Sequence, residues 1–342
     1  MRKAKKLLLL VNIVVLVCTG LALVSPLVHP ADSTLPGLMG LLFPLLLAIN
    51  LVFIAVWSIA REWYVLLSLG LLIVGWSRIA AFVQISTEPV TADDGYRIAT
   101  YNIFQFNRMT SADRHEALVD MITSLGHPDV LCLQEARGLD AMIEGTGYPY
   151  HFHIPGSLSY LLSKFPIVDA EHLEFGEQPS LSGWADIAFP DDTVRMYVLY
   201  LASSRVTEEA GRLMEDGRIQ DRRTWVEIRN LLGKYSRASL VRAEQAEVIG
   251  DHLAGSPHPV LVCGDFNDIP QSYTYARIAG GLQDSFIACG RGIGTTYAGG
   301  IPGLRIDYIL ASPEIRFLSH TMPRLSTSDH YPVVAQIRIP DL

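Results

Sequence analysis

Hydrophobic residues are distributed unevenly along the 342-residue chain, and their spacing changes near residue 89. Before that point, three nearly continuous apolar segments occupy residues 7–28, 38–60 and 63–83. Each has about 20 residues or more, which is enough for a helix to cross the hydrocarbon core of a bilayer. We therefore predict that residues 1–88 form a membrane anchor with three transmembrane helices.

The first apolar segment could instead be a cleaved signal peptide. Its apolar run is longer than usual for a signal peptide, and two more apolar segments follow, which favours its retention. The basic residues before it favour a cytoplasmic position for the N-terminus. Three crossings would then place residues 89–342 on the other side, so we predict an integral, multi-pass membrane protein whose second domain is extracytoplasmic.

From residue 89, after a polar linker at 88–96, short apolar runs alternate with longer amphipathic segments. The short runs predict strands at residues 97–103, 129–133, 158–162, 184–189, 194–201, 259–263, 305–310, 315–319 and 332–339. Helical periodicity appears at residues 112–125, 207–232 and 238–253. Many strands with few helices predict an α/β domain over 89–342, in which two packed sheets are flanked by helices.

Charge and cysteine content restrict the possible partners of this second domain. Six of the 27 basic residues and three of the 35 acidic residues precede residue 89, which leaves the second domain with a net charge of −11. Such an acidic surface repels a polyanion, so nucleic acid remains possible as a substrate but is not favoured. Four cysteines are too few for a disulfide framework.

The segment at residues 260–268 carries the strongest chemical signal. The apolar run Val260–Cys263 predicts a buried strand, and Asp265 and Asn267 follow Gly264. Residues two apart in an extended chain project to the same side, so these two polar groups would lie together at a strand end. A strand followed by an Asx turn is the alternative interpretation.

Polar residues also occur at the ends of other predicted strands: Asn102, Gln134, Glu135, Asp307, Ser328, Asp329 and His330. A carboxylate within an apolar strand is costly unless it is paired or bound to a metal. We therefore expect one acidic cluster at a common sheet edge. Oxygen ligands without a Cys/His pattern favour Mg²⁺ or Mn²⁺ over zinc.

Five short motifs in this order resemble the endonuclease/exonuclease/phosphatase superfamily, which includes pancreatic-type deoxyribonucleases, abasic-site endonucleases, neutral sphingomyelinases and inositol-polyphosphate 5-phosphatases. The motifs are Thr100-Tyr101-Asn102, Leu133-Gln134-Glu135, Gly264-Asp265-Phe266-Asn267, Arg305-Ile306-Asp307-Tyr308 and Ser328-Asp329-His330. The resemblance extends from about Tyr96 to Ile339, and the apolar N-terminal segments resemble those of membrane-anchored bacterial members. It implies a four-layered α/β sandwich and a metal-dependent attack of water on a phosphorus ester.

The resemblance also implies a role for each matching residue. Glu135 is expected to be the main ligand of Mg²⁺ or Mn²⁺, with Asn102 beside it and Asp329 near this metal or a second one. His330 is expected to face the phosphate, oriented by Asp307. A histidine held by a carboxylate is suited to acid–base chemistry.

Two further roles concern the strand end described above. Asp265 is expected to hold or activate the attacking water, and Asn267 to donate to a phosphate oxygen. The residues Thr295, Thr296 and Tyr297, which follow a glycine-rich turn, could line the same cleft.

The sequence departs from the family pattern at two places. Many members carry Asn-x-His where this chain has Val198 and Tyr200, although the abasic-site endonucleases resemble it in having a tyrosine there. The hydroxyl of Tyr200 could donate to phosphate in place of the histidine. Phe104 stands where some nucleases carry an aspartate. These departures keep a second hypothesis open, a catalytically weak or inactive binding module on the same fold.

The sequence thus predicts a membrane-anchored hydrolase of phosphodiesters or phosphomonoesters, with a phosphate ester and the lipid bilayer as its partners. The acidic surface and the anchor slightly favour a lipid or small ester over duplex DNA. A transport or sensing protein is a weaker third hypothesis, because the apolar segments contain no carboxylate.

Two interpretations stay open in the helical segments of the second domain. Residues 205–237 carry mixed charge, which favours a solvated helical hairpin over an arm that covers the substrate. Arg242 and Gln245 share one helical face, where they serve either in packing or as surface charge.

Overall fold

The structure is a computed structural model that describes residues 2–85, 95–104, 106, 109–153, 157–176, 181–204, 206, 209, 213, 222–299 and 303–340. The helices are α1 (Arg2–Val24), α2 (Leu35–Leu41), α3 (Phe43–Ile59), α4 (Val65–Val74), α5 (Trp76–Ala80), α6 (Ser111–Ser124), α7 (Arg222–Ala254), α8 (Tyr273–Ile278) and α9 (Ser285–Cys289). Residues 88–94 of the expected linker and most of residues 207–221, in the predicted helical segment 207–232, lie outside the described residues. The rest of that segment and the predicted helix 238–253 form one continuous helix, α7, so the break expected between them is wrong.

Fourteen strands are present in the described part of the chain. They are β1 (Val83–Ile85), β2 (Tyr96–Asn102), β3 (Val130–Gln134), β4 (Tyr150–His153), β5 (Tyr160–Ser163), β6 (Ile167–His172), β7 (Gly183–Ala188), β8 (Thr193–Tyr200), β9 (Val260–Asp265), β10 (Gln283–Asp284), β11 (Arg291–Ile293), β12 (Asp307–Ala311), β13 (Arg316–Thr321) and β14 (Val333–Arg338). All nine predicted strands are found. The five that were not predicted are two- to six-residue segments, and β6 was missed because its side chains are mostly exposed and polar.

Two six-stranded sheets form the framework of the second domain, in the orders β13-β14-β2-β3-β5-β4 and β10-β12-β9-β8-β7-β6. Their facing sides bury one apolar cluster that includes Ile98, Cys132, Val198 and Cys263. Helix α6 covers the outer side of the first sheet, and α7 and α8 cover that of the second. The predicted α/β fold with two packed sheets and flanking helices is therefore confirmed.

The alternation along each strand explains this layering. In β2, Ile98 faces the other sheet, whereas Ala99 and Tyr101 pack with residues of α6. Successive side chains of a strand point to opposite faces, so a strand that is buried on both sides contributes side chains to two apolar layers. Thr100 and Asn102 continue the inward face of β2 toward its end, which makes one end of the inter-sheet space polar.

The prediction of three transmembrane helices is wrong. Among the described residues, one helical stretch, Lys3–Leu27, is long and apolar enough to cross a membrane, and α2 and α3 meet the same criterion only as a pair bent by 71°. Pro44 lies in the first turn of α3. Proline is tolerated there but disrupts a helix interior, so α2 does not continue straight into α3. Helix α4 ends at Gly75 after 10 residues, or about 15 Å, which is half the thickness of a hydrocarbon core.

The apolar helices pack against each other through a few buried polar side chains. Asn12 donates from Nδ2 to Ser68 Oγ over 3.1 Å and accepts from Trp57 Nε1 over 2.9 Å. Asn50 donates from Nδ2 to Thr19 Oγ1 over 2.8 Å. Such bonds hold helices in register in an apolar layer, where hydrophobic contacts alone are less directional.

The helical layer also docks onto the second domain. Gln271 Nε2 donates to the carbonyl of Arg78 over 2.8 Å, and Arg305 Nη2 donates to the carbonyl of Ala81 over 2.9 Å. Strand β1 pairs antiparallel with β11. The chain therefore passes from the apolar helices to the sandwich through hydrogen-bonded contacts, one of which uses the Arg305 side chain.

Candidate active site

Several strands end at the same edge of the sandwich and bring their polar residues together there. In the first sheet, β2 and β3 run parallel, with Asn102 opposite Gln134. In the second sheet, β8 and β9 run parallel, with Tyr200 opposite Asp265. Strand β12 runs the other way and begins with Asp307 opposite Asp265. This topology assembles in space residues that lie far apart in the sequence.

A buried amide connects the two sheets at this edge. Asn102 Nδ2 donates to Glu135 Oε1 over 3.1 Å and to Asp265 Oδ2 over 3.0 Å. Asn102 is fully buried. Its amide therefore fixes the distance between a carboxylate of the first sheet and a carboxylate of the second.

His330 is held between two buried carboxylates. Its Nδ1 donates to Asp307 Oδ2 over 2.9 Å, and its Nε2 lies 3.9 Å from Asp265 Oδ2. Burial disfavours the charged imidazole, but the negative charges of Asp307 and Asp265 outweigh it and raise the pKa of His330 to about 10. In this arrangement the imidazole is a cation at neutral pH and can donate from Nε2.

Asp265 is the carboxylate with the most perturbed protonation in this cluster. Burial and the nearby Asp307 raise its pKa to about 7, although His330 and the Asn102 amide favour the charged form. The backbone N–H of Asn267 also donates to Asp265 Oδ1 over 2.7 Å. A carboxylate with a pKa near neutrality can accept and release a proton under ordinary conditions.

Backbone conformation at this edge is unusual. Glu135 and Asn267 both have left-handed backbones, with φ of +54° and +50°. Such conformations cost energy for residues other than glycine and concentrate at functional sites. Gly264 lies between Cys263 and Asp265 with φ +149°, and a Cβ there would collide with the carbonyl of Leu199. Glycine at this position is what allows β9 to approach β8 closely.

The remaining predicted site residues lie around this cluster at different depths. The side chain of Asp329 accepts from Ser328 Oγ over 3.3 Å, and the same hydroxyl donates to the carbonyl of Asn102 over 2.7 Å. Tyr200 is 9% exposed at the end of β8. Val198, where many family members carry asparagine, is fully buried in the apolar cluster between the sheets. The structure thus brings seven of the eight predicted residues to the strand ends and loops at this edge, with Asp329 joined to it through Ser328.

Two residues after the glycine-rich turn support the cluster. Thr296 Oγ1 accepts from the backbone N–H groups of Ile306 and Asp307 over 2.9 and 3.1 Å, which fixes the start of β12. The ring of Tyr297 meets the ring of His330 edge-on, with centroids 5.2 Å apart. These two residues therefore lie beside the cluster as buried supports.

A supporting ion pair was not predicted. Arg242 is 1% exposed and donates from Nε to Asp268 Oδ2 over 3.1 Å and from Nη1 to the carbonyl of Ala202 over 3.0 Å. Gln245 accepts from the backbone N–H of Ala202 over 3.0 Å. Both side chains therefore serve in packing rather than as surface charge, and Arg242 supports the loop that carries Asn267. The sequence signal that could have predicted this burial is the set of apolar residues on the same face of the helix.

A donor set suitable for a cation is present at this edge. Among the described residues, side-chain atoms of Asp265, Asp307 and His330 lie within 4.8 Å of one another. The two carboxylates are the cation ligands available there while the imidazole is protonated. Glu135 lies beside them, joined through the Asn102 amide. Hard oxygen atoms predominate, as Mg²⁺ and Mn²⁺ require.

Comparisons with known families agree with this arrangement. Residues 99–330 match the sequence profile described as the Endonuclease/Exonuclease/phosphatase family. Residues 5–82 match a domain of unknown function, DUF8431. No curated protein matches the chain.

Solved structures with a similar fold share little sequence with this chain. A functionally unknown conserved protein from Enterococcus faecalis V583 is 16% identical, with a TM-score of 0.52, and the match covers 71% of this chain and 100% of that one. A humanized D. rerio TDP2 is 17% identical, with a TM-score of 0.51 and coverage of 71% and 98%. D. rerio TDP2 in complex with a single-strand DNA product is 16% identical, with a TM-score of 0.51 and coverage of 72% and 100%. At these identities the similarity concerns the fold alone.

Proposed function

Because this chain belongs to the endonuclease/exonuclease/phosphatase family, we propose that it is a divalent-metal-dependent hydrolase of phosphoric esters. The observation that carries this proposal is the single buried cluster in which Asn102 links Glu135 to Asp265 and His330 lies between Asp265 and Asp307. Buried carboxylates are costly unless they are paired or bind a cation, and clusters of them with shifted pKa values are concentrated at functional sites.

We propose that Glu135 and Asn102 hold Mg²⁺ or Mn²⁺, with Asp329 near the same ion or a second one. The ion, when bound, would neutralise charge on the phosphate oxygens and the leaving group. The Asn102 amide supports this assignment, because it holds Glu135 beside Asp265. The left-handed backbone of Glu135 also supports a ligand role, because such conformations concentrate at functional sites.

The other residues are assigned to the water and the phosphate. Asp265, with a pKa of about 7, would orient the attacking water and accept its proton. His330, charged and held by Asp307, would donate from Nε2 to the phosphate. Asn267 lies beside Asp265, and its Nδ2 donates to the carbonyl of Leu201 over 3.0 Å and to Asp265 Oδ2 over 3.3 Å. A bond from this amide to a phosphate oxygen would replace the longer of these two bonds.

The protein is further proposed to be attached to a membrane, with residues 1–88 as the anchor and 89–342 as the catalytic domain. Helical stretch Lys3–Leu27 supports attachment by its length and composition. The Lys5–Glu62 ion pair lies at one end of the helical layer, and the 3₁₀ turn Ser25–Leu27 near α8 lies at the other. If the basic end faces the cytoplasm, the catalytic domain lies on the opposite side.

The test is a hydrolysis assay on the full-length chain in detergent or nanodiscs. Bis(p-nitrophenyl) phosphate and p-nitrophenyl phosphate should be turned over with Mg²⁺ or Mn²⁺ and not with EDTA. Glu135→Gln should lower turnover by about 10²- to 10³-fold, because a lost ligand removes charge stabilisation in the transition state. Glu144→Gln is the matched control, since Glu144 is an exposed carboxylate nine residues further along.

Metal binding separates the proposal from the alternative of an inactive binding module. A calorimetric Mn²⁺ titration should show a site that is lost in Glu135→Gln. If wild type binds the ion but hydrolyses no ester in a panel of nucleic acids, lipids and small esters, the binding module is the better description. If Glu135→Gln and wild type have equal activity, the assigned site is wrong.

A further inference from the structure

Exposed apolar surface is concentrated in the N-terminal part of the chain. Twenty-one of the thirty large hydrophobic side chains that are exposed in the described residues lie within residues 7–85. Three of the remaining nine, Trp225, Val226 and Leu232, lie in the first three turns of α7. This second region is separate in sequence from the apolar helices and so requires its own explanation.

The first half of α7 has the composition of a helix that lies in a membrane interface. Residues 222–237 contain five basic residues and one acidic residue, whereas the domain as a whole has a net charge of −11. Lys234 is paired with Glu209 over 2.6 Å, and the segment remains basic with this pair counted. Trp225, Arg229 and Leu232 are four and seven residues apart and are all exposed, so they share one helical face. Basic residues beside tryptophan and leucine on an amphipathic helix favour contact with anionic lipid headgroups.

The same helix contacts the apolar helices one turn after this exposed face. A Cβ added at Gly37 of α2 would lie 2.7 Å from the hydroxyl of Tyr235, so the two helices touch at this point. Trp225 is ten residues before Tyr235, or about 15 Å along the helix axis. Ile228 and Leu231, which are partly buried, lie between them.

The catalytic cluster is connected to the same apolar helices through one small apolar cluster. Leu41, at the end of α2, packs against Ile269, Tyr297, Leu304 and Ile306. Tyr297 in turn meets the ring of His330. A cavity of about 30 Å³ is lined by Leu41 from the apolar helices and by Asn267 from the site. The cluster therefore lies at the face of the domain that the anchor covers.

We propose that the first half of α7 is a second membrane contact, seated among the headgroups of the bilayer that holds the anchor, and that the substrate is a phosphoester lipid of that bilayer. The assignment rests on the proposed hydrolase function and adds its substrate class. The anchor and the first half of α7 would both contact one bilayer. Together they would hold the catalytic cluster at the depth of the headgroups, where the ester phosphate of a lipid is found. The acidic remainder of the domain stays away from an anionic surface.

The experiment uses the full-length chain reconstituted in phosphatidylcholine vesicles with Mg²⁺. Phosphatidylglycerol, phosphatidylethanolamine and phosphatidic acid are each compared with their deacylated, soluble counterparts. At least one lipid should be hydrolysed about tenfold more efficiently than its soluble form. Trp225→Ser/Leu232→Ser should lower lipid turnover about tenfold and leave bis(p-nitrophenyl) phosphate turnover unchanged, because it weakens interfacial contact alone.

Val168→Ser is the matched control, since Val168 is exposed on β6 and outside α7. Its activity on both kinds of ester should equal that of wild type. The location of α7 is measured separately by quenching with brominated lipids, taking the difference between wild type and Trp225→Phe as the Trp225 signal. Quenching of that signal supports the contact.

The outcomes distinguish this inference from the proposed function. Hydrolysis of soluble esters with equal or lower activity on every lipid would overturn the lipid assignment and leave the hydrolase function standing. A Trp225 signal that brominated lipids do not quench would overturn the second membrane contact. If no ester of either kind is turned over, the hydrolase function fails and the lipid assignment fails with it.

Discussion

His330 Nδ1 donates to Asp307 Oδ2 over 2.9 Å, although the two residues are 23 positions apart in the sequence. Asp307 begins β12 of the second sheet, whereas His330 lies in the segment before β14 of the first sheet. The contact crosses the space between the sheets at their polar edge. It pairs a cation with a buried anion, and such a pair is costly to break because the remaining charge is left unpaired.

We expect Asp307→Asn to lower turnover by about 10²- to 10³-fold, because it removes the charge that keeps His330 protonated. The same variant should lower the pKa of His330 from about 10 toward its ordinary value. Both effects can be measured, by steady-state kinetics and by NMR titration of the imidazole signals. His320 is an internal reference, and its titration should not move. Unchanged turnover in Asp307→Asn would contradict the role of the pair.

Tyr200 can be tested against a tyrosine on the opposite face of the same strand. We expect Tyr200→Phe to lower turnover about tenfold, because one hydrogen bond to a charged group is lost. Tyr197→Phe should leave turnover unchanged, since the Tyr197 hydroxyl bonds to His252 Nδ1 over 2.7 Å on the side of α7. Equal kinetics for Tyr200→Phe and wild type would mean that this hydroxyl does not act on the phosphate.

The left-handed backbone of Glu135 predicts that glycine is more stable than alanine at this position. Glu135→Gly should be about 1 kcal/mol more stable than Glu135→Ala, because glycine adopts a positive φ without steric cost. Both variants should be inactive. Urea unfolding of the two variants in the same detergent measures the difference. A more stable alanine variant would show that the backbone is not strained at this position.

His320 makes the stability of the fold depend on pH. Burial lowers its pKa to about 4, with Asp284 opposing and Arg305 adding to the effect. The ring Nδ1 bonds to Ser285 Oγ over 3.0 Å, and Nε2 is buried. Because the unfolded chain binds a proton near pH 6.5 and the folded one does not, stability falls as pH drops from about 6.5 toward 4.

Between pH 7 and 5, wild type should therefore lose about 1–2 kcal/mol more unfolding free energy than His320→Gln, which cannot titrate. Urea unfolding at the two pH values gives this difference directly. Parallel losses in the two proteins would mean that His320 is readily protonated in the folded state.

The contact between α2 and the catalytic domain depends on a glycine. A Cβ at Gly40 would lie 2.7 Å from the backbone carbonyl of Gln271, so Gly40→Ala should shift the helix and cost about 1–3 kcal/mol. A lower melting temperature would report this. Gly70→Ala is the control, because a Cβ at Gly70 meets nothing within 4 Å and should leave the melting temperature unchanged or raise it. Equal melting temperatures for both variants would argue against tight docking.

The sequence determined the strands of the sandwich and the residues at their ends. The long strands are short apolar runs, which a single chain displays without any tertiary contact. The polar residues after β2, β3 and β9 were visible for the same reason, since a carboxylate next to an apolar run is unusual. These local patterns were sufficient for Asn102, Glu135 and Asp265.

Tertiary structure alone decided how those residues meet and how the N-terminal helices end. The bond from Asn102 to Asp265 depends on the packing of two sheets, and the burial of Arg242 depends on the loop at Asp268 that receives it. The apolar run at residues 63–83 is long enough to span a bilayer, yet the helix breaks at Gly75. Hydrophobic composition fixes what a segment can bury, whereas its path depends on the groups against which it packs.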